Sequence, residues 1–259
     1  MSTPTEFDEF HRDLLKIEDL IKFVIDFRSF GANLPGSEGS SSAFVQAALD
    51  LHNISGKVRT DLPLMVGSLL LYACGRFEYF VGELVRSVAD KEVAKADSYA
   101  DIPKDVRESL RIQLLTVLSE PRRYSHLRLS DQQLAATLSS IVTADENEVP
   151  SDIPTEILAS TDANMRPQVL KEVFARVGMK DVWGDISKQA PLRTHFGTVS
   201  ESACKTAATN FLEELMRLRN SIAHPTASLS FPSPEAALEQ CISLRVLSRA
   251  ISDVAYLPR

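Results

Sequence analysis

SESACKTAATNFLEELMRLRNSIAHP, residues 200 to 225, reads as a helix with one discordant side chain. Ala208, Leu212, Leu215, Arg219 and Ile222 recur at steps of 4, 3, 4 and 3, which places them on one stripe of a 3.6-residue helix. Four of these are apolar, and Arg219 interrupts them. A second stripe, Asn210, Glu213, Arg217, Asn220 and His224, is wholly polar. Ser200 is placed to cap the start and Pro225 to stop the end. On a continuing helix Arg219 and His224 stand about 140° apart, at roughly 100° per residue. Pro225 disfavours the helical conformation at the residue before it, so His224 lies where the chain leaves the helix and can turn toward Arg219.

The same periodicity extends outward in both directions, and no run alternates as a strand would. Thr5 to about Phe30 forms an amphipathic helix with Phe10, Leu14, Ile17, Leu20, Ile21 and Val24 on its apolar side. Residues 31–42, rich in Gly and Ser, read as a connection; their Gly36/Gly39 pair lacks the preceding strand and following Lys-Ser/Thr of a phosphate loop. Helices are predicted around 44–51 and over 63–93, 102–120, 131–142 and 165–177, the last ended by Gly178. The acidic, proline-containing stretch 145–154 reads as a loop and 187–198 as irregular. The closing helix runs over 234–254. The expectation is an all-α chain forming one domain over residues 1–259, with no internal repeat.

Composition agrees with an ordinary globular protein: 44% hydrophobic and 24% charged residues over a length that can bury a proper core. The acidic N-terminus has no basic start or apolar stretch, so no secretory signal is read there. The longest apolar run, between Leu62 and Gly75, is too short to span a bilayer, and a cytoplasmic protein without membrane contact is expected. Cys74, Cys204 and Cys241 are too far apart for a metal knuckle and odd in number. His11, His52, His126 and His195 have no ligand spacing, so neither metal nor cofactor is expected. The net charge of −7 argues against a broad basic face for long nucleic acid but leaves room for a small cationic cleft. Arg122, Arg123 and Tyr124, with His126 and Arg128, form a small basic and aromatic cluster that reads as a solvated turn.

The helix over 63–93 carries a second discordant charge. Tyr72, Arg76, Tyr79, Glu83, Arg86 and Asp90 make its polar face, while Leu71, Cys74, Gly75, Glu78, Val81, Gly82 and Val85 lie opposite. Glu78 is the one charge on that small and apolar side, and a carboxylate there needs a cation or donors. Arg219 is the natural partner. Two readings stay open on spacing alone: a structural ion pair with His224 merely ending a helix, or a site built from the same residues.

Arg219-Asn-Ser-Ile-Ala-His224 after an amphipathic helix resembles the Arg-x4-His signature of HEPN ribonucleases, including the Asn that follows the Arg. The Glu78-bearing helix, the segment Asn164 to Gly178 and the helix after His224-Pro225 resemble members of this group from bacterial toxin and antiviral defence loci. The resemblance covers the chain from about Pro63 onward; it implies a HEPN-type bundle with additional helices inserted between the core helices, over 100–198, and leaves the N-terminal helices of 1–60 without a role.

What the resemblance implies is metal-independent RNA cleavage by a homodimer whose two sites face one cleft, with an antitoxin or defence protein as a further partner. His224 would move the proton, Arg219 would stabilise phosphate charge, Asn220 would orient the imidazole or a phosphate oxygen, and Glu78 would hold Arg219. Some relatives carry a Tyr two residues after the His that a partner nucleotidyltransferase modifies; Thr226 stands there in this chain, which puts that control in doubt. The rival expectations are a catalytically silent HEPN-like module that binds protein or nucleotide, and a helical scaffold in which Arg219 and Glu78 are structural.

Overall fold

The computed structural model describes residues 5–32, 43–127, 129–143, 153–161, 163–224 and 231–257. Among them are ten α-helices and no strand: α1 (Thr5–Ala32), α2 (Ala43–Val58), α3 (Leu62–Ala94), α4 (Lys104–Ser119), α5 (Asp131–Thr143), α6 (Pro167–Ala175), α7 (Val182–Ser187), α8 (Ala190–His195), α9 (Glu201–Ala223) and α10 (Pro234–Ala255). The expected all-α class is what the chain adopts. Most of residues 31–42 and 145–154, read as loops, lie outside the described residues, as do Arg128, Pro225 and Thr226.

Local chemistry sets the helix ends. Ser200 Oγ accepts the Ala203 N–H at 3.2 Å, as expected of the α9 cap. Before α5, Ser130 and Gln133 form a reciprocal box, with Ser130 Oγ accepting the Gln133 N–H at 3.2 Å and Gln133 Oε1 accepting the Ser130 N–H at 2.9 Å. Gly178, at φ 86°, ends the turn after α6 in a conformation an L side chain resists. Two expectations change. The helix predicted around 44–51 continues to Val58, and Ser55 within the added turns is buried with its hydroxyl donating to the His52 carbonyl at 2.9 Å. The stretch 187–198 is mostly helical: Asp181 caps α7 by accepting the Gly184 N–H at 3.2 Å, and Pro191 opens α8. Helices of one or two turns show no periodicity, so capping alone announces them.

Two compact units share the long helices. The larger takes Met1–Asp8, Phe77–Met216 and Val246–Arg259; the smaller takes Glu9–Arg76 and Arg217–Arg245. The larger unit's core includes Phe77, Phe80, Leu84, Leu110, Leu114, Phe174, Leu212 and Ile251. Its 3-10 turn over Thr155–Ala159 is fastened by Arg176, whose guanidinium donates to the carbonyls of Leu158 at 2.9 Å and Ser160 at 2.7 Å. Burial pulls that guanidinium below its ordinary pKa. By length and composition α3 is apolar enough to cross a bilayer, and its apolar side chains supply core instead: Val66 and Leu70 in the smaller unit, Val81, Leu84 and Val85 in the larger.

In the smaller unit Phe10, Leu14, Ile17, Ile21 and Val24 of α1 are buried, as expected of that stripe, whereas Leu20 is 49% exposed. Ion pairs fasten α1 to its neighbours. Arg76 of α3 reaches Glu9 at 2.6 Å and Asp13 at 2.7 Å, Arg28 pairs with Glu235, and Arg245 Nε donates to Glu18 Oε1 at 2.8 Å. Glu18 is the most enclosed of these carboxylates, with its side chain 5% exposed. Cys241 lies nearby in charge terms: burial, then the negative charge of Glu18, pushes its thiol up to about 12, so it stays protonated at neutral pH.

Phe231 brings the chain back onto the smaller unit after the end of α9. Its ring lies where a Cβ on Gly67 would be, 2.6 Å from Cδ1 and 2.9 Å from Cε1, with Ile222 Cγ2 at 3.5 Å. Gly67 is therefore a close-approach position inside α3, and a methyl there has no room.

Two outcomes are expected in urea and thermal unfolding. Arg245→Leu strands the buried Glu18 carboxylate and is expected to cost on the order of 3 kcal/mol, whereas Lys22→Ala, which removes an exposed α1 pair with Asp19, is expected to cost under about 1 kcal/mol. Gly67→Ala gains about 1 kcal/mol of helix propensity but is expected to lower the melting temperature through overpacking of roughly 1–3 kcal/mol; adding Phe231→Leu should recover part of the loss. A stabilised Gly67→Ala protein would show that the ring is not seated there.

Candidate active site

Burial fixes the rotation of α9. Ala208, Leu212, Leu215 and Ile222 are all buried, as the stripe predicted, and Cys204 and Met216 join them. Arg219, on the same stripe, is half-buried; Asn220 beside it is half-buried too, while Arg217 and Ser221 face solvent. The end of the helix from Arg217 onward belongs to the smaller unit.

Arg219, Asn220 and His224 are linked by that helical end. Arg219 Nη1 donates to Asn220 Oδ1 at 3.3 Å. The His224 N–H donates to the Asn220 carbonyl at 3.0 Å, so α-helical bonding runs one residue past Ala223 before the chain leaves the helix. The His224 side chain is exposed. A permanently cationic fork, a neutral amide and an exposed imidazole thus share one helical turn and a half. The Asn220 amide is neutral, so this hydrogen bond leaves the guanidinium's charge uncancelled and able to act on an anion. Ile222, between Asn220 and His224, is buried beside the Phe231–Gly67 seat and anchors this turn.

The buried arc of α3 is wider than the face read from spacing, of which Cys74, Val81 and Val85 are buried. It also takes in Phe77 and Phe80, leaving Gly75 exposed and Glu78 half-buried at the arc's edge. The physical reason is area: a phenyl ring removes far more apolar surface than a glycine face can, so the rings join the arc. Glu78 belongs to the larger unit, where its Oε1 accepts the Met165 N–H at 3.4 Å. Arg219, its expected ion-pair partner, belongs to the smaller unit. The next residue along, Arg166, donates to Glu213 of α9 at 2.7 Å, so the segment before α6 is tied to carboxylates of both α3 and α9.

The remaining sequence candidates fall into structural roles. Tyr124 is buried, Arg123 pairs with Glu120 at 2.6 Å, and the His126 side chain and Arg128 lie outside the described residues. His195 ends α8 edge-on to Phe196, with ring centroids 5.1 Å apart, and His52 meets Phe30 at 5.6 Å. Cys74 and Cys204 are buried. Among the described residues no group of three His, Cys, Asp or Glu side chains is arranged to hold a metal ion. The Gly67–Phe231 contact has no signal in the sequence: Gly75 and Gly82 stand in the same helix, and a Cβ at Gly75 would meet nothing within 4 Å.

The family model described as RiboL-PSP-HEPN matches residues 45–256. No curated protein and no solved structure matches the chain. The matched span takes in α3, α9 and α10 whole, and with them Glu78, Arg219, Asn220 and His224. The chain belongs to the RiboL-PSP-HEPN family.

Proposed function

We propose that the protein is a metal-independent endoribonuclease, acting in the cytoplasm as a toxin or antiviral effector, with Arg219 and His224 as its catalytic pair. Membership of a HEPN family makes it a nuclease-like or RNA-related module. The observation that carries the finer reading is the end of α9, where a half-buried guanidinium and an exposed imidazole flank Asn220. RNA supplies its own nucleophile. The 2′-hydroxyl attacks the adjacent phosphorus, the bond to the 5′-oxygen breaks, and a cyclic phosphate and a free 5′-hydroxyl result. Such a step needs a group that takes or gives a proton and a cation for the developing phosphate charge. His224 fills the first role because an imidazole changes charge near neutral pH. Arg219 fills the second with a planar fork suited to phosphate oxygens. Asn220 fixes the guanidinium through its amide oxygen, and Glu78 acts as a positioning residue rather than at the reacting atoms.

The substrate is RNA, and the working partners are a second copy of the chain and an antitoxin or defence protein. A silent binding module is the alternative, and cleavage assays separate the two.

Incubation with total RNA tests the proposal. His224→Ala is expected to leave the melting temperature nearly unchanged, since the ring is exposed, while cleavage falls by at least ~100-fold. Arg219→Ala should abolish cleavage as well, and Glu78→Gln should lower it in a folded protein. An active His224→Ala protein, or wild type that never cuts RNA, sinks the catalytic reading. In the same assay EDTA is expected to leave cleavage intact; loss with EDTA and return with magnesium would replace acid–base chemistry with a metal mechanism.

A further inference from the structure

The larger unit carries a cluster of cations that the proposed chemistry does not use. Lys104, Arg107 and Arg111 recur at steps of 3 and 4, which places them on one flank of α4. The two guanidiniums share a platform. Cζ of Arg107 lies over the Tyr99 ring at 5.6 Å from its centroid, and Cζ of Arg111 at 6.0 Å. Tyr99 opens the 3-10 turn Tyr99–Asp101 before α4 and is 3% exposed. Stacking of this kind holds a guanidinium plane in place but leaves its N–H edge to be satisfied by something else.

The carboxylates of this stretch do not satisfy it. Glu108 meets Lys104 at 3.5 Å, and Asp105 meets Lys180 at 2.9 Å. Asp101 accepts from the Ser98 hydroxyl at 2.7 Å and from the Ser98 N–H at 3.0 Å, and Asp97 is exposed in the link after α3. Among the described residues neither Arg107 nor Arg111 has a carboxylate partner. Two further polar atoms are orphaned here: Arg107 Nε and the Tyr99 hydroxyl are buried without a hydrogen-bond partner. Buried donors left unpaired are costly, and like charges one turn apart oppose the helix that carries them. An acceptor of negative charge relieves both.

We infer that Arg107 and Arg111 hold a phosphate group, with Lys104 at its rim. Residues one turn apart on a helix have Cβ atoms about 5–6 Å apart, so both forks reach one tetrahedral oxyanion. A carboxylate is filled by a single guanidinium fork, whereas a phosphate offers acceptor oxygens to two. The Tyr99 ring is buried under the arginines and has no face for a base, so the ligand is recognised by its phosphate: a free monoester or one phosphodiester of a strand. In a chain of net charge −7 this uncancelled pair is a local exception that draws an anion. Arg219 and His224 belong to the smaller unit, so the inference uses none of the proposed catalytic residues.

Titration calorimetry of the full chain with inorganic phosphate, and fluorescence anisotropy with a short single-stranded DNA, test it. Neither probe has a 2′-hydroxyl beside its phosphorus, so the result is independent of ribonuclease activity. Wild type is expected to bind at least one of them saturably, and Arg111→Gln to bind at least ~10-fold more weakly, as loss of a charge-assisted hydrogen bond predicts. Arg111 is exposed, so this variant should keep its helical circular dichroism even where Arg107→Gln, which uncovers Tyr99, does not fold. Lys188→Gln, which removes an exposed cation elsewhere in the unit, should bind as wild type does. With the DNA, the slope of log affinity against log salt should fall by about 0.7 in Arg111→Gln, the share of one phosphate contact on a single strand. Binding of phosphate alone assigns a free monoester, and binding of the DNA alone assigns a strand. A wild type that binds neither overturns the inference, as does equal weakening by Arg111→Gln and Lys188→Gln.

Discussion

The rotation of α9 about its own axis is the constraint on which the candidate site depends. A helix has one phase, and burying Cys204, Ala208, Leu212, Leu215, Met216 and Ile222 sets it. Each large side chain among them is worth about 1.5–3 kcal/mol buried rather than exposed, so turning the helix by one residue would forgo several such contributions at once. Arg219 gains too little from any other position to oppose that. Its half-buried place on the stripe, the adjacent position of Asn220 and the exposure of His224 are consequences of core packing elsewhere on the same helix. Chemistry at this site is thus paid for by the apolar residues that precede it.

The smaller unit answers a related demand with charge. Helix α1 contributes a buried stripe, and three sets of ion pairs fix where that stripe sits. These are not equivalent. The Glu18–Arg245 pair is enclosed, so losing one partner leaves an uncompensated charge, while the more exposed pairs are screened and worth little each. In the larger unit the corresponding fastening is to the backbone: Arg176 satisfies two carbonyls of a 3-10 turn, and Trp183 Nε1 donates to the Pro167 carbonyl at 2.9 Å. The first ties an irregular turn to the end of α6 and the second ties α7 to the start of α6, both by satisfying polar groups that burial would otherwise leave costly.

Long helices were legible because many residues vote on one period. The bounds expected for α1, α3, α9 and α10 differ from those observed by one or two residues, and the buried stripe of α9 is the one read from spacing. The short α7 and α8 were not legible, since six residues hold too few apolar positions to define a phase. On α1 the sequence showed apolar residues but not which stripe would be covered; Leu20 belongs to the exposed one because Phe10, Leu14, Ile17, Ile21 and Val24 already fill the buried arc.

By itself the sequence determined the all-α class, the long helices and the grouping of Arg219, Asn220 and His224, because these follow from periodicity, capping and neighbours within one helical turn and a half. Tertiary structure decided what periodicity cannot see. The core side of α3 takes in Phe77 and Phe80 beside Cys74, Val81 and Val85, since aromatic area adds to the face of small side chains, while Gly75 stays exposed. Glu78 consequently meets the Met165 N–H at the edge of that arc. Gly67 acquires its meaning only when the Phe231 ring arrives from far along the chain and leaves no space for a Cβ, a steric fact that exists between segments and in neither one alone.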